Sequence, residues 1–176
     1  EFLADLRLIR DSLVSHGDRG IAGGELQDLI RMVETFGFHL LHLDIRQESA
    51  VHSRTVAEIL AGLSPEVGRY TEQPEPERVT LLANRLRQRE RPEVPREALS
   101  EEGRATLATF ECMARMTEEL GPEVFGQYVI SMTHQASHVM EVLWLAWLVG
   151  LVERTGDEGW RCRIRVSPLF ETIEDL

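Results

Sequence analysis

Apolar residues recur at helical spacing along most of this chain. Leu6, Ile9 and Leu13 share one stripe with Arg10, and Leu26, Leu29, Ile30 and Val33 repeat the i, i+3, i+4, i+7 arrangement that buries one side of a helix. Gly17, Gly20, Gly23 and Gly24 separate the two stripes. Further helices are predicted by Val56, Ile59, Leu60 and Leu63, by Val79, Leu82, Ala83 and Leu86, by Leu107, Phe110, Met113 and Ala114, and by Val139, Val142, Leu143 and Ala146. Three short segments break this period and predict strands at about 38–46, 127–132 and 161–169. Pro, Gly and Glu fill a connector over 64–76, Pro92 and Pro95 punctuate a second loop, and a polar break covers 153–159. The order is helices, then strand–helices–strand–helix–strand. Helical crossovers of this length join parallel strands, so an α/β fold is expected. Three strands do not close a barrel; they make a helix-covered arc with unpaired edges.

The first strand carries the densest chemistry. The run Phe36-Gly37-Phe38-His39-Leu40-Leu41-His42-Leu43-Asp44-Ile45-Arg46-Gln47-Glu48-Ser49 ends in a cluster of charged and amide groups just where a helix begins. Alternation along a strand puts His42, Asp44 and Arg46 on one face and Leu41, Leu43 and Ile45 on the other. In α/β barrels working residues sit at the C-terminal ends of strands. Arg46 offers a planar fork of donors suited to phosphate or carboxylate; from spacing alone an ion pair with Asp44 or Glu48 serves equally well. Asp44 either orients Arg46 or lies in a polar layer of a barrel interior, while His39 and His42 fit packed or ion-paired roles.

Other candidates divide in the same way. Glu171, just past the third strand, is a solvated loop acid, a helix-initiating acid near Thr172, or a hard metal ligand. His134 and His138 lie four apart, as in the HExxH helix of zinc proteases, but Gln135 stands where that chemistry needs a general base. The plainer alternative is a polar loop opening a helix. Arg161, Arg163 and Arg165 alternate along the expected third strand and suit an exposed strand face better than a substrate role. Trp144 and Trp147 suit packing, and the spaced glycines lack the strand–GxGxxG–helix context of a nucleotide loop.

Composition narrows the function classes. A formal charge of −11, from 30 acidic and 19 basic residues, argues against general nucleic-acid binding. A few arginines in a cleft still accommodate an anionic substrate. Hydrophobic residues make up 43% of the 176, enough for one domain with a sizeable core. Cys112 and Cys162 show no CxxC spacing, as expected of reduced thiols in a cytoplasmic protein. No apolar run reaches the roughly 20 residues that span a bilayer; the nearest, 139–152, is interrupted by Glu141 and Gly150. The chain begins with Glu1 in an already helical pattern and stops soon after a strand, so a fragment of a soluble protein is expected.

Three segments resemble one enzyme family in the same order. The words FG…LDIRQES (through Ser49), Tyr128-Val129-Ile130-Ser131-Met132 and Ser167-Pro168-Leu169-Phe170-Glu171-Thr172 are similar to those of phosphoenolpyruvate carboxylase. The resemblance implies a helix-rich fragment of a (β/α)8-type barrel with about three parallel strands, the remainder of the barrel missing. It implies a single partial domain over 1–176, with a helical lead-in over 1–35 and the first three barrel strands and their crossover helices over 36–176. The implied intact enzyme is a cytoplasmic homotetramer that carboxylates phosphoenolpyruvate with bicarbonate, giving oxaloacetate and phosphate, with Mg2+ or Mn2+ as cofactor. Arg46 would hold the substrate phosphate, Gln47 would assist more weakly, and Glu171 would be a metal ligand. The family's second metal carboxylate, its catalytic His and its glycine-rich Arg loop fall outside these residues, so the piece alone is expected to be inactive. His138 departs from the family, which usually carries an acid there, and the family tends to be charged around Trp147 and Leu148. A helical interaction domain retaining a carboxylase-like segment is the alternative from a different class.

Overall fold

The computed structural model describes residues 1–38, 42–64, 69–156 and 159–173. The chain divides into two compact units, Glu1–His42 and Leu43–Leu176. In the first, α1 (Phe2–Ser15), α2 (Arg19–Ala22) and α3 (Glu25–Phe36) bury Leu6, Ala22 and Ile30. Ile9 and Leu29, expected on the buried stripes, are exposed, because three short helices cover only a narrow line of each other. Arg7 reaches Glu34 at 2.7 Å, and Gly37 ends α3 in a positive-φ conformation (60°) that glycine adopts without strain.

The second unit builds a three-stranded parallel sheet from β1 (Leu43–Glu48), β2 (Phe125–Ser131) and β5 (Arg165–Pro168), in the order β1-β2-β5. Helices α4 (Ser49–Leu63), α5 (Glu75–Leu86) and α6 (Glu101–Leu120) connect the first pair of strands, and α7 (Ala136–Leu148) follows β2. Register sets the faces. Ile45, Tyr128 and Val166 align across the sheet and contribute to the core with Val56, Ile59, Phe110 and Val142. Arg46, Val129 and Ser167 align on the opposite face. Ser100 caps α6 by accepting the Gly103 N–H at 3.0 Å, satisfying an otherwise orphaned donor.

Two strand expectations need correction. The first strand begins at Leu43, so His42 lies before it, and it extends through Gln47 and Glu48. Residues 39–41, including His39 and Leu41, lie outside the described residues. The expected third strand at 161–169 is two different strands. Residues 159–162 form β4 (Gly159–Cys162), antiparallel to β3 (Val152–Thr155), and only β5 joins the parallel sheet. The polar break at 153–159 is thus a β-hairpin in its described part. Arg154 lies over the Trp160 ring at 5.9 Å, a cross-strand contact that lets polar residues pair. Arg161 and Arg165 therefore stand on separate strands, with Arg163 in the bend between them, its N–H bonded to Leu151 O at 2.8 Å.

Register also slips where β1 meets β2. Leu43 pairs with Phe125, but Ile45 pairs with Tyr128, so β2 carries one extra residue. A bulge leaves a backbone group unpaired. Here Asp44 Oδ1 accepts the Gln127 N–H at 2.7 Å.

Beneath the sheet His52 is wholly buried, with Nε2 at 2.8 Å from the Tyr128 hydroxyl and its ring near Phe110. Burial, and then the charge on His138, lower its pKa from 6.5 to about 3. The unfolded chain therefore takes up a proton below about pH 6.5 that the folded chain refuses until about pH 3. This contribution to stability is complete above the upper value and is lost as pH falls, at about 1.4 kcal/mol per pH unit for one proton. Thermal midpoints measured from about pH 7 down to about pH 5 should fall in the parent and fall less steeply in His52→Gln, whose amide can still meet the Tyr128 hydroxyl.

Candidate functional site

The candidate residues gather at the C-terminal ends of the parallel strands. Arg46 lies on the sheet face opposite the helices, and its Nη2 donates to Glu171 Oε1 at 3.1 Å across a sequence separation of 125. Neither Asp44 nor Glu48, the expected neighbours, is this partner: Asp44 turns to the bulge at Gln127. Glu171 is held nearby because the chain leaving β5 is bonded to the end of β2. Leu169 N–H donates to Ile130 O at 2.9 Å, and Thr133 N–H donates to Leu169 O at 3.2 Å. The Arg46 side chain keeps 62% of its exposure and that of Glu171 31%, so the pair is open to solvent and contributes little to stability by itself.

Gln47 has another role in this arrangement. It aligns with Ile130, on the face away from Arg46, and its Oε1 accepts the Glu48 N–H at 2.9 Å where α4 begins. An orphaned helix-entry donor is satisfied by this contact.

The His134 and His138 rings lie 6.2 Å apart, and the His134 backbone N–H donates to His138 Nδ1 at 3.3 Å. That contact occupies the Nδ1 lone pair, so the neutral ring carries its proton on Nε2. His138 is buried, and its pKa is lowered by desolvation and then by the Arg78 charge, against a raising effect of Glu75. No cluster of three or more His, Cys, Asp or Glu side chains poised for a metal occurs among the described residues. Among the described residues no third side chain of these types joins the two imidazoles. Glu171 supplies one hard carboxylate at an accessible strand end, which suits magnesium, an ion that keeps several waters and takes only one or two protein carboxylates.

Sequence reasoning missed the buried network beside this site. Glu141, wholly buried in α7, accepts from Arg78 Nη2 at 2.5 Å, from the Tyr70 hydroxyl at 2.8 Å and from Ser53 Oγ at 2.8 Å. Arg78 also donates to Gln135 Oε1 at 3.1 Å and lies over the Tyr70 ring at 4.9 Å. Burial raises the Glu141 pKa, and the bonds from Tyr70, Ser53 and Arg78 oppose that shift. The available signal was a lone acid inside the apolar stripe of α7, since buried carboxylates are rarely left unpaired. A cavity of about 400 Å³ lies alongside, lined by Ser49, Ser53, Arg78, Met132, His134 and His138.

Comparison with known proteins agrees with the three sequence words. The family model described as phosphoenolpyruvate carboxylase matches residues 1–176. The chain belongs to this family. It is 43% identical over 176 residues to the phosphoenolpyruvate carboxylase of Rhodopseudomonas palustris and 41% identical over 179 residues to that of Nocardia farcinica. All of the chain is covered in both cases, but only 18% and 19% of the relatives' own lengths. A 42% identical carboxylase from Synechococcus is covered over 16% of its length. The chain thus spans less than a fifth of the curated carboxylases it matches. No helix among the described residues is long and apolar enough to cross a membrane.

The buried network makes a direct prediction. Arg78→Met keeps a long apolar stem but leaves Glu141 buried without its counter-charge. It should lower stability by about 3–5 kcal/mol in urea unfolding, with a good part recovered when Glu141→Leu is added.

Proposed function

We propose that these residues form part of the catalytic barrel of an enzyme that carboxylates phosphoenolpyruvate with bicarbonate, giving oxaloacetate and inorganic phosphate. The observation that carries this reading is the meeting of Arg46 and Glu171 at 3.1 Å at the strand ends of a chain belonging to the carboxylase family. β1, β2 and β5 are then three successive strands of a (β/α)8 barrel, and 1–35 is its helical lead-in. The assembly is a cytoplasmic homotetramer.

Arg46 holds the phosphate of the substrate through its planar fork and later holds the phosphate product. Glu171 is one protein ligand of Mg2+ or Mn2+, and its carboxylate offsets the cost of partly dehydrating the ion. When bound, the ion supplies Lewis-acid stabilisation of negative charge developing on the enolate oxygen. Gln47 contributes by fixing the entry of α4 directly behind Arg46. Residues outside this stretch complete the metal site in this reading, and the piece alone does not turn over.

In the intact enzyme, Arg46→Lys should lower kcat/KM for phosphoenolpyruvate by about ten- to hundredfold. It keeps the charge but loses a charge-assisted bond in a two-pronged geometry, about 1.5–3 kcal/mol. Unchanged steady-state kinetics would return Arg46 to the role of a surface ion-pair partner. Glu171→Gln should leave the thermal midpoint near the parent's, since only an exposed pair worth at most about 1 kcal/mol is lost. The metal concentration for half-maximal activity should rise by at least about tenfold. A normal metal requirement, or an unfolded variant, would remove Glu171 from the site.

A further inference from the structure

Met132 directly follows β2 with φ at 55°, the positive-φ non-glycine residue among those described. Left-handed backbone is unfavourable for a residue with a Cβ and persists only where the surroundings over-determine it. Hydrogen bonds on both sides do so here. The Ser49 hydroxyl donates to Met132 O at 2.6 Å, from the residue that follows Arg46-Gln47-Glu48. Thr133 N–H donates to Leu169 O at 3.2 Å, two residues before Glu171, and Thr133 Oγ1 donates to Ile130 O at 2.8 Å. The turn therefore bridges the exit of β1, which carries Arg46, and the segment after β5, which carries Glu171. Ser49 is buried, 3% exposed, and its hydroxyl is spent on this bond.

We propose that Ser49 is a positioning residue: through the left-handed turn at Met132 it sets the separation of Arg46 and Glu171. This rests on the substrate and metal roles assigned to those two residues above. The tether acts on geometry and touches neither ligand. Without the hydroxyl, the Met132 carbonyl loses its partner, and the turn can relax toward ordinary backbone. The separation of Arg46 and Glu171 is then no longer fixed.

In the intact enzyme, Ser49→Ala should raise KM for phosphoenolpyruvate and weaken direct Mn2+ binding, followed by water-proton relaxation, each by about two- to tenfold. Ser49→Thr, which restores the hydroxyl, should bring both back toward the parent. Met132→Gly, which adopts positive φ freely, should stay within about twofold of the parent. Met132→Val, a β-branched residue ill-suited to that conformation, should behave like Ser49→Ala. Unchanged KM and Mn2+ affinity in Ser49→Ala overturn the proposal, even if the thermal midpoint falls, because a purely structural tether moves only the midpoint. Should Ser49→Ala not fold, Met132→Val and Met132→Gly decide it, and equal effects of the two overturn it. A normal Arg46→Lys enzyme would sink the site reading itself, whereas an affected Arg46→Lys beside an unaffected Ser49→Ala sinks the tether alone.

Discussion

Burying the Glu141 carboxylate constrains much of the second unit. An ionised acid away from water is tolerated only when a counter-charge and hydrogen-bond donors surround it. Those donors come from three places in the chain: Ser53 on α4, Tyr70 in the short turn after it, and Arg78 on α5. Helices α4, α5 and α7 must therefore converge at one point. Arg78 carries the constraint outward, since its Nη1 donates to Gln135 Oε1 at the start of α7. From there the chain runs back two residues to Thr133, whose N–H is bonded to Leu169 beside Glu171. A buried acid and an exposed one are thus linked through a short path of bonds.

The sheet faces divide the same labour. Tyr128 and Ile130 are buried beneath the helices, while Arg46, Gln127 and Ser167 lie on the other face. On that polar face the groups satisfy one another: Ser167 Oγ donates to Gln127 Oε1 at 2.8 Å, and Asp44 takes the Gln127 N–H. Asp44 thereby holds the bulge and leaves Arg46 to Glu171. A negative global charge is compatible with this arrangement, because Arg46 and Glu171 balance each other's charge at 3.1 Å.

The parallel strands were legible because their apolar runs are bounded by changes of period; Arg46 and Glu171 were singled out by the words that contain them. What alternation missed has physical causes. β4 and β5 read as one strand because no Gly or Pro marks the bend at Arg163-Ile164; only pairing partners separate them. The partner of Arg46 was invisible because it lies 125 residues away and depends on the turn at Met132. Spacing favours near neighbours, but the near neighbour Asp44 was claimed by a bulge that arises only when two strands are laid together. Arg78 sits in a charged stretch of α5 and looks solvated until Glu141 is placed opposite it. Long-range polar pairing is the part of a fold that local pattern encodes least.

The polar face has a consequence for the larger architecture. Parallel sheets in α/β proteins are covered on both faces, by helices on each side or by closure into a barrel. Covering the face of Arg46, Gln127 and Ser167 with an amphipathic helix would bury a guanidinium against apolar side chains at high cost. Closing the sheet into a barrel avoids that cost. At the strand ends an interior face opens to a mouth where charge remains hydrated or meets a ligand, and deeper residues pair laterally as Gln127 and Ser167 already do. The polar groups on this sheet are thus placed as the proposed barrel closure would require, and a second helical layer would not suit them.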